Sequence, residues 1–242
     1  MYEPRTYRHW IKSQDLISFR VVVKETDLYI RASTNLKRKA HKLVLKYRHI
    51  LEGYIERHPL FLTSLEPLSA GDDAPHIIKL MSESARKAGV GPMASVAGAI
   101  AEFVGNELSA FSPEIIIENG GDIYLRSLKK RLVGIYAGES SLSGKIGLEI
   151  EGQDTPLGVC SSSGTVGHSL SYGKADAVIV LSKSATLADA AATAIGNLIV
   201  ESSSIPGGIE LAKGIDGLRG VIIIKDDNLG LWGQVKICQT SV

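Results

Sequence analysis

Residues 184–200, SATLADAAATAIGNLIV, carry a single charge, Asp189, among alanines and a glycine. Side chains this small let a helix approach a neighbouring backbone or a ligand, so the carboxylate is expected to lie partly buried. Burying an ion without a partner costs on the order of several kcal/mol, so a partner is expected too. Thr193 stands four residues on, one helical turn along the same face. A carboxylate and a hydroxyl stacked this way offer two hard oxygen ligands. That donor set suits Mg²⁺ when waters and phosphates complete its shell. The same residues also suit a plainer role, a buried aspartate that pairs with arginine or caps a neighbouring helix.

Three further segments carry chemistry-bearing residues in apolar or glycine-rich settings. In residues 114–127, two β-rich runs flank Asn119-Gly120-Gly121-Asp122. The glycines permit the positive φ of a tight hairpin turn and leave backbone N–H groups open to a ligand. A plain hairpin explains the glycines, but not why Glu118, Asn119 and Asp122 crowd one turn. Residues 158–173, GVCSSSGTVGHSLSYG, have no charge but many hydroxyls. Ser161, Ser162, Ser163 and Thr165 could bind phosphate oxygens, and His168 could act as a general base; an ordinary surface loop is the alternative. Cys160 reads either as a nucleophile or as a small buried hydrophobe. Residues 89–104, GVGPMASVAGAIAEFV, hold one charge, Glu102. They describe a helix whose N-terminal N–H groups would attract a phosphate. The glycine spacing matches neither a phosphate-binding Walker loop nor the dinucleotide fingerprint.

Residues 17–32 predict two strands around a turn near Glu25–Asp27, and 36–57 a long amphipathic helix with a Lys/Arg-rich outer face. Residues 61–74 predict a loop. Helices are expected over 75–88, 92–108 and 184–200, the last capped by Ser184, with a short one over 207–214. Strands are expected over 114–119, 122–127, 131–137, 145–150, 156–160, 175–181, 219–225 and 229–237. Helices cluster in 36–108 and 184–214 and strands gather elsewhere, without βαβ alternation. The pattern predicts a single α+β domain with a largely antiparallel sheet and helices packed on it.

The chain has 242 residues, 44% hydrophobic and 22% charged, with a net charge of +1. That balance argues against disorder and coiled coil. No apolar run reaches the roughly 18 residues of a membrane span, the N-terminus lacks the apolar core of a signal peptide, and the two cysteines have no metal-ligand spacing. A cytoplasmic protein is the expectation. Residues 1–60 hold 13 Lys and Arg against 6 Asp and Glu. The basic residues interleave with apolar ones, so a solvated helix face is expected rather than a nucleic-acid contact.

Taken together and in order, these segments resemble the ApbE superfamily, whose members include FAD:protein FMN transferases, and specifically a short cytoplasmic branch of it. NGGDIYLRS at 119–127 is similar to the family's strand-turn-strand block. SATLADAAATA at 184–194 is similar to its metal-binding Ala-Asp-Ala-x-Ala-Thr helix. SSSGTVGHSLS at 161–171 sits where the family has a Ser-Gly loop followed by histidine, and Gly91-Pro92-Met93-Ala94 resembles the turn before its central helix. The similarity covers about residues 75–200.

The resemblance implies that Asp189 and Thr193 are side-chain ligands of Mg²⁺, with the Ala94 carbonyl as a further ligand. Asn119, Gly120, Gly121, Asp122, Ser162, Ser163, Gly164 and Thr165 would line an FAD site, and His168 would stand near the transferred phosphoryl group. The implied partners are a small-molecule nucleotide and a protein acceptor; no membrane is implied, and a homo-oligomer is left open. The chain also departs from the family. Ser169-Leu170-Ser171-Tyr172 follow His168 in place of His-x-x-Asp-Pro, and Ser95 replaces a lysine. The expectation is Mg²⁺-dependent flavin nucleotide binding, with FMN transfer from FAD as the associated reaction. The alternative is a binding or accessory protein without transfer, in sulfur assimilation toward homocysteine.

Overall fold

The computed structural model describes residues 11–12, 15–165 and 172–240. In chain order they form β1 (Ile11–Lys12), β2 (Ile17–Val23), β3 (Thr26–Ala32), α1 (Lys37–Arg57), α2 (Leu60–Thr63) and α3 (His76–Ala88). A 3₁₀ turn at Pro92–Ser95 leads into α4 (Val96–Leu108), followed by β4 (Ile115–Asn119), β5 (Asp122–Arg126), β6 (Arg131–Gly134), β7 (Ile146–Ile150) and β8 (Leu157–Ser162). The chain continues through β9 (Ala177–Ser182), α5 (Ala185–Leu198), α6 (Ile205–Gly214), β10 (Leu218–Lys225), β11 (Asn228–Gly233) and β12 (Ile237–Gln239).

Eight strands make one antiparallel sheet in the order β11-β10-β9-β8-β5-β4-β3-β2, and β1-β6-β7-β12 make a smaller one. Side-chain alternation decides the layers. Ile115 and Ile117 of β4, Val178 and Val180 of β9, and Val221 and Ile223 of β10 face the helices. Ile116, Ile179, Leu181, Ile222 and Ile224 face the small sheet, packing with Val133, Leu148 and Ile150. The large sheet is thus covered on both faces, which is why β9, AVIVLS, is buried throughout rather than alternating. The α+β class with a largely antiparallel sheet holds.

Helix α1 buries Ala40, Val44, Tyr47, Leu51 and Tyr54 and exposes Lys37, Arg38, Lys39 and Lys42. Arg48 departs from a solvated face: it turns toward the sheet to bond Thr26, Glu25 and Glu52. Several element boundaries differ from expectation; the strand expected over 131–137, for one, stops at Gly134. The 61–74 loop begins with the short helix α2. The helix expected over 92–108 is a proline-started 3₁₀ turn and then α4, with Ser95 Oγ donating to the Pro92 carbonyl at the junction. The strand expected over 229–237 is two strands in different sheets, divided where Gly233 adopts φ +85°. Among the described residues, no single helix is long and apolar enough to cross a membrane.

Candidate functional site

The site is built where α4 and α5 meet above β5 and β8. Two glycines make the approach this close. A Cβ on Gly98 would stand 2.3 Å from the Ala185 carbonyl oxygen and 2.8 Å from Asp189 Cβ, and one on Gly158 would stand 2.4 Å from Ala185 Cα. The alanine-rich sequence of α5 therefore serves backbone-to-backbone packing.

At this contact each helix caps the other. Asp189, on α5, accepts from the Gly98 N–H at 2.8 Å and from that of Ala97, at the N-terminus of α4. Glu102, on α4, accepts from Ser184 Oγ, Thr186 N and Thr186 Oγ1 at 2.9, 2.9 and 2.8 Å, at the N-terminus of α5. Each carboxylate faces the positive end of a helix dipole and fills N–H groups that have no partner within their own helix. Ser184 also accepts from Leu187 N as the N-cap of α5, as its position predicts. Of the two roles the sequence leaves open for Asp189 besides metal binding, helix capping is present. Among the described residues it has no Lys, Arg or His partner.

Asp122 comes to the same place from the sheet. Its neighbours Gly120 and Gly121 take φ +70° and +109°, the left-handed pair that a two-residue hairpin turn needs. Glu118 Oε1 accepts from Gly121 N at 3.0 Å, and Asn119 Nδ2 donates to the Ala97 carbonyl at 3.0 Å. The polar crowding around the turn thus ties the hairpin to the start of α4. Asp122 is 6% exposed and Asp189 8%. Asp122 accepts from Ser161 N at 3.3 Å and likewise has no cationic partner among the described residues. Burial first, and then the charge of Asp189, push the Asp122 carboxyl well above the usual range. Burial pushes Asp189 up to about 7, against the pull of the two backbone N–H groups. Two acids are therefore buried near one another: burial holds both toward the protonated form, and the charge of Asp189 adds to this at Asp122. Cys160 lies beside them with its thiol donating to the Ala185 carbonyl, and burial pushes its pKa up. It is a small buried hydrophobe, not an activated nucleophile.

The hydroxyl segment divides. Ser161 Oγ donates to the Gly121 carbonyl at 3.0 Å, and the Ser162 side chain lies against Gly196 of α5, so this part joins the turn and α5. Ser163 and Thr165 turn elsewhere: Ser163 Oγ reaches the Ala175 carbonyl at 3.4 Å, and Thr165 Oγ1 reaches Asp176 at 3.3 Å. The Gly164 backbone pairs with Ala175. Thr193 is half-buried, one turn beyond Asp189, and makes no hydrogen bond among the described residues. Ala94 lies in the 3₁₀ turn, which packs against α3 and α5. His168 lies outside the described residues. Among the described residues no three His, Cys, Asp or Glu side chains gather as a metal cluster, so any cation here would need backbone, hydroxyl and ligand oxygens beside the carboxylates. Sequence reasoning missed Glu102 as a counterpart of Asp189. The available signal was that Asp189 is the lone charge on α5 and Glu102 the lone charge of residues 89–104.

A family model described as AbpE bacteria matches residues 8–206, well beyond the region of clearest motif resemblance. A UPF0280 protein of Methanocaldococcus jannaschii is 44% identical over 89% of this chain and 90% of its own length. One from Methanopyrus kandleri is 43% identical over 90% and 91%. Among solved structures, the flavinyl transferase ApbE of Pseudomonas stutzeri superposes with a TM-score of 0.57 at 14% identity, covering 90% of this chain and 93% of that one. The ApbE protein of Thermotoga maritima gives 0.57 at 11% identity, over 89% and 96%. At such identities the likeness is one of fold, whereas the family match and the UPF0280 relatives concern the sequence itself. The chain belongs to the AbpE bacteria family, on a fold shared with the ApbE flavin transferases.

Proposed function

We propose that this chain binds FAD, or a similar phosphate-bearing nucleotide, together with Mg²⁺ at the junction of α4, α5 and the β4–β5 turn. The observation that carries the reading is the buried Asp122–Asp189 pair. Two carboxyls without a cationic side chain between them are an expensive arrangement unless a proton or a cation joins them. An all-oxygen environment suits Mg²⁺. Asp189 and Thr193 would hold the ion by side chains, and Ala94 by its carbonyl. Bound there, Mg²⁺ would offset charge on the phosphate oxygens of the ligand.

The protein's own residues do the positioning. Asn119 and Glu118 fix the Gly120–Gly121 turn, where ligand and backbone could approach closely because there is no side chain. Glu102 and Asp189 lock α4 to α5, so Thr193 and the 92–95 turn keep a fixed relation. Burial keeps water from Asp122, so desolvation and the nearby Asp189 both favour its protonated form, and a bound cation would take the place of that proton. The solved proteins of this fold from Pseudomonas stutzeri and Vibrio cholerae are named flavinyl and flavin transferases, which supports a flavin nucleotide as the ligand. Transfer of FMN additionally requires a base at the acceptor hydroxyl, the role that the resemblance implies for His168. The Ser171–Tyr172 replacement of the family's Asp-Pro favours binding with little transfer.

A second reading has a specific observation behind it. Asp189 already caps α4 at 2.8 Å, and a cap needs no metal. Thermal unfolding with FAD, FMN or ATP, with and without Mg²⁺, separates the two. The proposal expects a stabilisation by FAD that requires Mg²⁺ and disappears in Asp189→Asn and Thr193→Val; a ligand at about 100 times its dissociation constant adds ~2.7 kcal/mol. No Mg²⁺-dependent shift with any nucleotide would leave the capping role alone. Incubation with FAD, Mg²⁺ and an acceptor protein then tests transfer, read as covalent flavin fluorescence on a denaturing gel.

A further inference from the structure

A groove of about 230 Å³ runs between α3 and the loop that precedes it, on a part of the molecule that the α4–α5 junction does not use. Lys79, Ser82 and Arg86 line it from α3, and Pro67, Leu68 and Ala70 line it from the loop. The three helix residues are spaced by three and four positions, so they form one continuous row.

Ser82 is the informative member. It is 5% exposed, and its hydroxyl oxygen is buried with no hydrogen-bond partner. A hydroxyl in a helix has an easy local partner in the carbonyl one turn back, so one left unmatched where a groove touches it is a cost without a structural return. Its position explains the burial: it borders the apolar stripe of Ile78, Met81 and Ala85 that packs into the core. Two of the three charges that border the groove, Lys79 and Arg86, are positive. Lys79 Nζ donates to the Asp72 carbonyl, which anchors it without neutralising it and leaves further N–H donors. Arg86 is exposed and makes no ion pair or hydrogen bond among the described residues. Glu83 also borders the groove, but its carboxylate lies 3.7 Å from Lys87.

We propose that this groove binds a small phosphate-bearing anion. Its oxygens would accept from Ser82, Lys79 and the Arg86 guanidinium, and an apolar body would lie against Pro67, Leu68 and Ala70. A tetrahedral oxyanion matches a hydroxyl donor set between an ammonium and a guanidinium, and Arg adds a planar two-donor fork. Its free source, inorganic phosphate, and an organic phosphate share this chemistry and differ only in the apolar body.

The test titrates the full-length chain, with chelator present to keep the α4–α5 junction free of metal, against inorganic phosphate and against phenyl phosphate. Affinity is read by calorimetry and melting temperature. Both probes are expected to bind, phenyl phosphate more tightly, and Arg86→Gln should weaken both by about tenfold or more, the scale of one charge-assisted contact. Ser82→Ala keeps the fold testable. Without ligand it should melt at or above the wild-type temperature, since it removes an unmatched buried hydroxyl and adds a better helix former. It should also lose the phosphate-dependent shift. The proposal fails if neither probe binds, if binding is unchanged in Arg86→Gln or Ser82→Ala, or if Ser82→Ala lowers the melting temperature of the ligand-free protein.

Discussion

Replacing Asp189 with asparagine should make the metal-free protein more stable at alkaline pH and less so, relative to wild type, as pH falls. In the folded chain burial raises Asp189 from 3.8 to about 7. The unfolded chain therefore releases this proton first as pH rises, the folded state binds more protons between the two values, and stability declines across that window. At about 1.4 kcal/mol per unit, the whole shift is worth about 4 kcal/mol, of which about 2–3 kcal/mol falls between pH 5 and pH 8. The Asp189→Asn amide keeps an oxygen for the Gly98 N–H and loses only the charge–dipole part of the cap, about 0.3–1 kcal/mol. In urea unfolding with chelator, the wild type should therefore lose ground to Asp189→Asn by roughly 2–3 kcal/mol on going from pH 5 to pH 8. Adding Mg²⁺ with FAD should reverse the ranking, because only the carboxylate binds the ion. If the difference between the two proteins does not change with pH, or changes in the opposite direction, Asp189 is not held toward its protonated form and the strained carboxyl pair is not there.

Three other outcomes follow from the packing. Glu102→Ala removes the acceptor for Ser184 and Thr186, and urea unfolding should show a loss of about 1–2 kcal/mol, with Glu102→Gln retaining part of it. Gly98→Ala places a methyl group 2.3 Å from the Ala185 carbonyl oxygen; it should cost about 1–3 kcal/mol by thermal unfolding and weaken any nucleotide effect at the same time, since α4 must move off α5. Arg131 is 4% exposed and pairs with Glu114 at 2.5 Å and Asp15 at 2.6 Å. Arg131→Met leaves Glu114 buried without its cation, so a loss of about 3–5 kcal/mol is expected at pH 7 in denaturant melts, shrinking toward acid pH as the carboxyl is protonated.

The elements were legible where periodicity is strong. The β2–β3 and β4–β5 hairpins, α1, α3 and α5 with its Ser184 cap stand within a residue or two of their expected places, because alternation, helical spacing and turn glycines are local signals. The boundaries that shifted are ones local pattern does not decide. Whether 229–237 is one strand or two depends on which sheet each half finds, and the 92–95 turn depends on what packs above Pro92. β1 and β12 are too short to show a period and exist because β6 and β7 offer edges to pair with.

At the site, residue identity alone determined that Asp189 would be a lone charge on a close-packing helix, and that the Asn119–Asp122 turn would need glycine. It could not say what Asp189 would face. That was decided by tertiary structure, which delivers the N-terminus of α4 from 91 positions away and Asp122 from across the sheet. The carboxyls' raised pKa values, the exchange of caps between Glu102 and Asp189, and the division of the 161–165 hydroxyls between the α4–α5 junction and Asp176 all arise from contacts between segments distant in sequence. Burial and the field of a neighbouring charge belong to the assembled space around a side chain, and a local sequence pattern records neither.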